Sequence, residues 1–411
     1  MFDLVDILNK HTVDEQQENA IKAVLFFKTE VCRSLVMEAF AFEGLGKPVI
    51  LENKDIHIVE HVETQEIELV LLELNNSDSV VADAERISHI IPNHASVVVI
   101  GDEDAISTIR QLKGMGFYYL FWPISKQELI DFVKSVNENR QRQKGLGQNR
   151  KGKRVSVVGS KGGVGCSLIC AEIAYGLADD KHASALLVDH HYSGGNLDIM
   201  LGKKDLAKRQ LQPGTLTSKL DHNSALTLLD KVSEKIKVLS IGSKEGGHQE
   251  VRDFTDSVVE LVSHDVNFIV EDVSASINFE ASAAWLCERS DIIVIVMEPT
   301  VSSLRETERL LEKVNPLRHE AGHPIRLLLV VNHHRASKFE TVSDKDIETY
   351  LDKKIDVTLP YEPHAGDLVL QGKRLFNGKT KMSSPLKLLV SKLVGESNSK
   401  RKGLKSLFSR R

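Results

Sequence analysis

Cysteine is scarce in this chain, which has four among its 411 residues: Cys32, Cys166, Cys170 and Cys287. Their spacing matches neither a zinc site nor a disulfide framework, which fits a reducing compartment. Long apolar runs are missing too. No stretch approaches the ~20 residues of a membrane span, and Met1 to Lys10 lacks both the basic start and the apolar core of a signal peptide, so a cytoplasmic location is expected. Nor is there an excess of positive charge. The 53 basic residues stand against 58 acidic ones, a formal net of −5, which argues against a chain that coats nucleic acid along its whole surface. A chain of this length divides into two or three domains, each large enough to bury a core. Two large ones fit best.

What is present is organised around Arg154 to Ala178, RVSVVGSKGGVGCSLICAEIAYGLA. Val155, Val157 and Val158 read as a short buried strand and Gly159 to Gly165 as a glycine loop. Leu168, Ala171, Ile173, Ala174 and Leu177 then form an apolar helical face. A strand, glycine loop and helix in this order turn successive backbone N–H groups inward, and the helix aims its positive dipole end at the same point, so an anion is held largely by main chain. The candidate ligand-binding residues are Lys161, Gly162, Gly163, Val164, Gly165, Cys166, Ser167 and Leu168. The ordinary phosphate loop ends in Gly-Lys-Ser/Thr. Here Ser167 stands in the hydroxyl position, but the lysine position is Cys166.

The run KGGVGCS resembles the MinD/ParA family of deviant-loop ATPases, whose usual motif is KGGVGKT. The resemblance implies that Lys161 reaches across a dimer interface to the partner's nucleotide, and that the lysine missing at Cys166 is the one that grips phosphate within its own subunit. It extends downstream. Asp189, His191, Asn196 and Asp198 match a family stretch of Asp-x-Asp followed by Asn-Leu-Asp, so that Asp189 helps orient Mg²⁺ water, while the carboxylate that positions the attacking water is replaced by His191. An imidazole accepts a proton but lacks the fixed charge, and His190 and His191 are expected to be loop histidines without catalytic duty. Asp272, ending the buried strand in VNFIVEDV, suits the acidic Walker-B position, although Val273 to Ser276 supply neither the Pro nor the Gly that follows it in the family. Ser167, Asp189 and Asp272 are thus the implied Mg²⁺-side residues and Asn332 the residue that reads adenine, with LPYEPHAGDLVLQGKRLF lining the base. In DIIVIVMEPTVSSLRETERLLEKV a Pro-Thr turn leads into a helix capped by Ser302 or Ser303. With Cys166 and His191 both degenerate, no intact catalytic set is expected. ATP with Mg²⁺ is held weakly or not at all, and hydrolysis is very slow or absent.

Ahead of this domain, about Asn19 to Asn139 alternates strands (AVLFF, PVILE, LVLLEL, SVVVIG, YYLFWP) with helices over Val31 to Phe42, Ala82 to Ile91, Ala105 to Met115 and Lys126 to Asn137. Five βα units imply a parallel, doubly wound sheet, so the expected fold is α/β with two such domains. ELVLLEL and GFYYLFWPISKQELIDFV resemble a response-regulator receiver. The phosphoacceptor position, however, is Glu73, the lysine position is Trp122, the Ser/Thr position is Gly101, and Phe27 and Lys28 replace the acidic pair. A degenerate receiver used for docking or dimerisation is expected, with Phe121 and Trp122 as contact residues. Between the domains, residues 140–153 lie in the run NRQRQKGLGQNRKGKR, which has seven basic residues and no acid and reads as a solvated linker. The second domain runs from 154 to 395. Met1 to Lys10 opens an N-terminal segment, residues 1–18. The last residues, 396–411, form a basic amphipathic tail in which Leu404, Leu407 and Phe408 share one helical face, as in a membrane-surface segment.

The order of receiver-like domain, basic linker and deviant ATPase domain resembles the TadZ/CpaE pilus-assembly proteins. This implies a localisation factor for Tad (Flp-type) secretion, homodimeric, recruiting other pilus components at a cell pole and peripheral to the inner face of the cytoplasmic membrane. An ordinary MinD-type ATPase that cycles on the membrane, and a partitioning or flagellar-number regulator, are the alternatives.

Overall fold

In the computed structural model the described residues are 21–143, 150–203, 206, 208–211, 220–243, 247–273 and 282–396. The N-terminal segment, the tail with Leu404, Leu407 and Phe408, and residues 274–276 lie outside them. Five short strands rich in Val, Ile and Leu build the first sheet: β1 (Ala23–Phe27), β2 (Val49–Glu52), β3 (Leu69–Glu73), β4 (Ser96–Gly101) and β5 (Tyr118–Phe121). All pairings are parallel, in the order β2-β1-β3-β4-β5, which is a doubly wound order. Alternate residues feed two apolar layers: Val24, Val70 and Val97 face one set of helices, Leu25, Leu71 and Val98 the other. The helix Asp55–Thr64, absent from the sequence reading, completes the set.

The second sheet comprises β6 (Lys153–Gly159), β7 (Ala185–Asp189), β8 (Arg209–Gln210), β9 (Asp230–Lys231), β10 (Ile236–Gly242), β11 (Phe268–Val273), β12 (Ile292–Met297), β13 (Arg326–Asn332) and β14 (Val357–Leu359). Its path is β14-β13-β12-β6-β11-β7-β10-β8, parallel throughout, with β9 antiparallel on β10. The central strands are buried on both faces, which is why they read as continuous apolar runs rather than alternating ones. The helix Cys166–Asp179 covers one face together with Ser383–Leu393. Their approach is close: a Cβ on Gly176 would stand 2.5 Å from the Phe376 ring. Within that helix Glu172 is buried and accepts from the backbone N–H groups of Leu375 (3.2 Å) and Phe376 (2.7 Å). Burial pushes its carboxyl up, and those bonds oppose the rise.

The basic stretch between the sheets is not wholly solvated. The helix begun at Lys126 continues to Gln143, so residues 139–143 belong to it. Arg150 is folded inward and donates to the carbonyls of Ser88 (3.0 Å), Ile91 (3.1 Å) and Pro92 (2.7 Å), with its guanidinium over the Phe117 ring. Burial lowers it to about 10. Asn93 donates to the Val266 carbonyl and Asn267 to that of Ile91, while Glu63 pairs with Lys235 and His182, and Glu85 with Lys153. The basic composition concealed this because an arginine whose terminal nitrogens reach three carbonyls, and whose plane covers a ring, can pack inside.

Candidate functional site

The register of the second sheet sets its carboxyl edge. Asp272 on β11 stands opposite Val157 on β6 and Asp189 on β7, and Asp189 stands opposite Ser240 on β10. Two acids therefore end on the same rim as the glycine loop that leaves β6. In that loop Gly163 (φ 82°) and Gly165 (φ 98°) adopt the left-handed conformation that favours glycine. Gly162 and Gly163 are exposed, Val164 is buried, and Ser167 and Leu168 are half-buried on the first turn of the helix. The backbone N–H groups of residues 162–165 donate to no described protein atom. This is the geometry of a main-chain anion cradle opening onto a helix N-terminus.

Asn332, at the end of β13, sits directly beneath. Its Nδ2 donates to the Val164 carbonyl (2.9 Å), and a Cβ on Gly165 would lie 2.6 Å from that nitrogen. Its Oδ1 is buried and has no donor among the described residues. An acceptor left open in this way fits the amino edge of an adenine.

Cys166 does not restore what the missing lysine would supply. Its side chain is buried and turned back under the loop, with Sγ 3.0 Å from where a Cβ on Gly159 would be. Burial pushes the thiol well above its ordinary value and the neighbouring Asp272 charge adds to that. The helix dipole, which lowers a thiol's pKa at an open N-terminus, is outweighed, and Cys166 packs as a small filler.

Lys161 is present but engaged within its own chain. Its ammonium pairs with Glu298 Oε1 at 2.5 Å and donates to Ser302 Oγ at 3.2 Å. Glu298 is buried, and it also meets His334 Nε2 at 2.6 Å and accepts from Thr300 Oγ1 at 3.1 Å. Burial alone would raise this carboxyl; the bonds from Lys161, His334 and Thr300 outweigh it and hold it at about 2. The sequence reading missed Glu298. The cap of the helix Val301–Glu320 also differs from expectation. Thr300 accepts from Ser303 N (3.4 Å), whereas Ser303 is buried and its hydroxyl serves Glu298 N (3.0 Å) and Ser160 Oγ (2.6 Å).

On the far side of the site Asp189 is engaged by three donors. It accepts from His191 N (2.9 Å), Ser240 Oγ (3.1 Å) and the Lys208 ammonium, which also donates to the His191 carbonyl at 2.7 Å. A nucleotide would therefore fit the loop and Asn332, whereas Mg²⁺ fits poorly at Asp189, whose charge is already balanced by an ammonium. Among the described residues no group of three His, Cys, Asp or Glu side chains is placed to hold a metal ion. His191 is half-buried beside Gly195. His190 lies in the loop that leaves β7, as expected, but it does not face solvent. It is buried against Trp285, bonds Tyr192 Oη (2.7 Å) through Nδ1 and lies 3.6 Å from Glu271. Glu271 faces the other side of the sheet from Asp272, accepts from Ser156 Oγ (2.8 Å) and Arg289 (3.0 Å), and is held far below the ordinary carboxylate range: burial opposes ionisation, and Arg289 and His190 overcome it.

In the first domain Glu73 is fully buried. Its carboxylate accepts from Lys28 N (2.6 Å), Thr29 N (2.9 Å), Thr29 Oγ1 (2.6 Å) and Asn75 Nδ2 (2.9 Å), closing the N-terminus of the helix Glu30–Glu43. The Tyr119 ring fills the space over Gly101. Phe121 is 47% exposed and Trp122 packs half-buried against the core.

No protein-family model matches the chain. It is similar to the septum site-determining protein MinD of Helicobacter pylori, 22% identical over 247 residues that span 59% of this chain and 90% of that protein. The MinD of Neisseria meningitidis is 25% identical over 258 residues, 61% of this chain and 93% of that protein. Among solved structures, a ParA family ATPase from Chlorobium tepidum superposes with a TM-score of 0.48 and 22% identity, covering 58% of this chain and 98% of its own. The MinC:MinD cell division protein complex of Aquifex aeolicus gives 0.47 and 21%, over 60% and 96%.

Proposed function

We infer that this chain is a MinD/ParA-like scaffold that holds a nucleotide without turning it over at an appreciable rate, and that it recruits partners as a localisation factor of Tad-type pilus assembly. The observation that carries this reading is the state of the two lysine positions around an otherwise open cradle. Cys166 is a buried filler and Lys161 is paired with Glu298, so neither brings charge to a transferring phosphoryl group, while the N–H groups of residues 162–165 and Asn332 Oδ1 remain open. Preorganised charge at the reacting centre is the largest single contribution to such chemistry, worth about 3–4 kcal/mol for one donor. Binding survives that loss better than turnover does.

Similarity to two MinD proteins over about three fifths of the chain supports a positioning role, and the MinC:MinD complex supports partner binding. The receiver-like order of the first sheet, with Glu73 consumed by backbone and side-chain donors, supports a domain that docks rather than accepts phosphoryl groups. Dimerisation through the loop rim would require Lys161 to leave Glu298. The basic tail, with Leu404, Leu407 and Phe408, is proposed to hold the dimer on an anionic bilayer. Among the described residues no helix is long and apolar enough to cross a membrane. Sedimentation with anionic and neutral vesicles tests the tail: truncation after Ser399 or Phe408→Glu should abolish binding to anionic vesicles, and unchanged binding overturns that role. Equilibrium titration with ATP, alongside phosphate release, tests the site.

A further inference from the structure

Lys208 has no place in a site read as nucleotide plus Mg²⁺, yet its position is built. It precedes β8, which pairs in parallel with the end of β10 at Arg209–Ile241 and Gln210–Gly242. Glycine at 242 permits the approach: a Cβ there would stand 2.9 Å from the Tyr192 carbonyl and 3.4 Å from Lys208 Cβ. The ammonium is thereby delivered to Asp189, which is buried, while the lysine side chain keeps 19% of its surface exposed. Its two acceptors, Asp189 Oδ2 and the His191 carbonyl, leave one of three N–H groups unspent. Asp189 in turn receives Ser240 and the His191 N–H as well.

A divalent cation arriving here would meet a carboxylate already neutralised, with a fixed positive charge beside it. Mg²⁺ demands near-octahedral oxygen ligation and gives up water reluctantly, so it gains little from such a rim. We propose that Lys208 takes the divalent cation's part: the phosphate-bearing ligand of this loop is bound with an ammonium in place of Mg²⁺, and Asp189 serves to position that ammonium. The inference rests on the nucleotide reading above. It names the form of the ligand, the metal-free nucleotide. It also accounts for a lysine supplied from a distant segment in a site whose own loop lysine is Cys166.

The test is calorimetric titration of the full chain with ADP, once with Mg²⁺ and once with EDTA. Wild-type dissociation constants should agree within about twofold, whereas Lys208→Gln should lose about tenfold or more in EDTA and recover affinity with Mg²⁺. Lys208→Arg, which keeps the charge, should restore metal independence. Thermal unfolding with Mg²⁺ alone gives a second readout: Lys208→Gln should gain a stabilising shift, through the freed Asp189, that the wild type lacks. Wild-type binding that disappears on chelation overturns this inference and leaves the nucleotide reading standing. An absence of binding by the wild type and by Lys208→Gln in both conditions rejects the nucleotide reading and this inference with it.

Discussion

Replacing Glu298 with Gln removes one negative charge from a buried position where Lys161, His334 and Thr300 converge. A carboxyl held at about 2 instead of its ordinary 4.5 stabilises the fold by roughly 3 kcal/mol at neutral pH. The Lys161 side chain is 33% exposed, so water screens part of the pairing, and roughly 2 kcal/mol is the better expectation. The sign follows from the direction of the shift. A depressed folded-state value contributes stability that is complete above about pH 4.5 and is lost as the pH falls toward 2. The difference between wild type and Glu298→Gln should therefore be flat from neutral pH to about 5 and shrink below that. Urea unfolding in a Trp122→Phe background measures it, because Trp285 is then the one remaining tryptophan of the chain and reports the second domain. A difference near zero at neutral pH, or one that grows on acidification, would refute the reasoning. The same variant frees Lys161.

Arg289→Leu should destabilise the second domain by about 3–5 kcal/mol in urea followed by circular dichroism, since Glu271 would keep a buried charge without its guanidinium partner. Loss below about 1 kcal/mol would mean that Glu271 is neutral or solvated. Glu73→Ala should cost the first domain about 2–3 kcal/mol, read by Trp122 fluorescence in a Trp285→Phe background, because four donors lose their acceptor. Phosphoryl donors such as acetyl phosphate should leave the wild-type chain unmodified by mass spectrometry. Cys166 should alkylate slowly in the native chain and no faster than Cys287, both being buried with thiols pushed up, and rapidly in urea. Selective labelling of Cys166 would place it at an open helix end.

The strands were legible because buried parallel strands are written as short, continuous apolar runs such as LVLLE, SVVVIG and IIVIVM, the last two dense in β-branched residues. The helix Asp55–Thr64 was not, since its apolar residues Ile56, Ile58, Val59 and Val62 lie among His and Glu, and the exposed Ile56 blurs the helical period. Within the site, the glycine loop was legible from its strand–glycine–helix pattern, and Asn332 was named only through the family resemblance. Their partners were not legible. Glu298 stands 137 residues after Lys161 in the chain, in a turn whose composition signals only a helix start. Lys208 is one of several lysines in GKKDLAKRQ, and only the pairing of β8 with β10 singles it out. Arg150 sits in a basic run that composition assigns to solvent, yet three carbonyls and the Phe117 ring enclose it. Charge pairing across the fold depends on which strand ends meet, and that is set by topology rather than by local pattern.

The central claim is that the loop holds a nucleotide and does not consume it. Titration of the purified full chain with ATP in a calorimeter, with phosphate release followed on the same sample, tests this most directly. The expected result is a weak, saturable binding isotherm with phosphate release no faster than the protein-free control. Steady turnover that Lys161→Ala abolishes, or the absence of any isotherm, would contradict it.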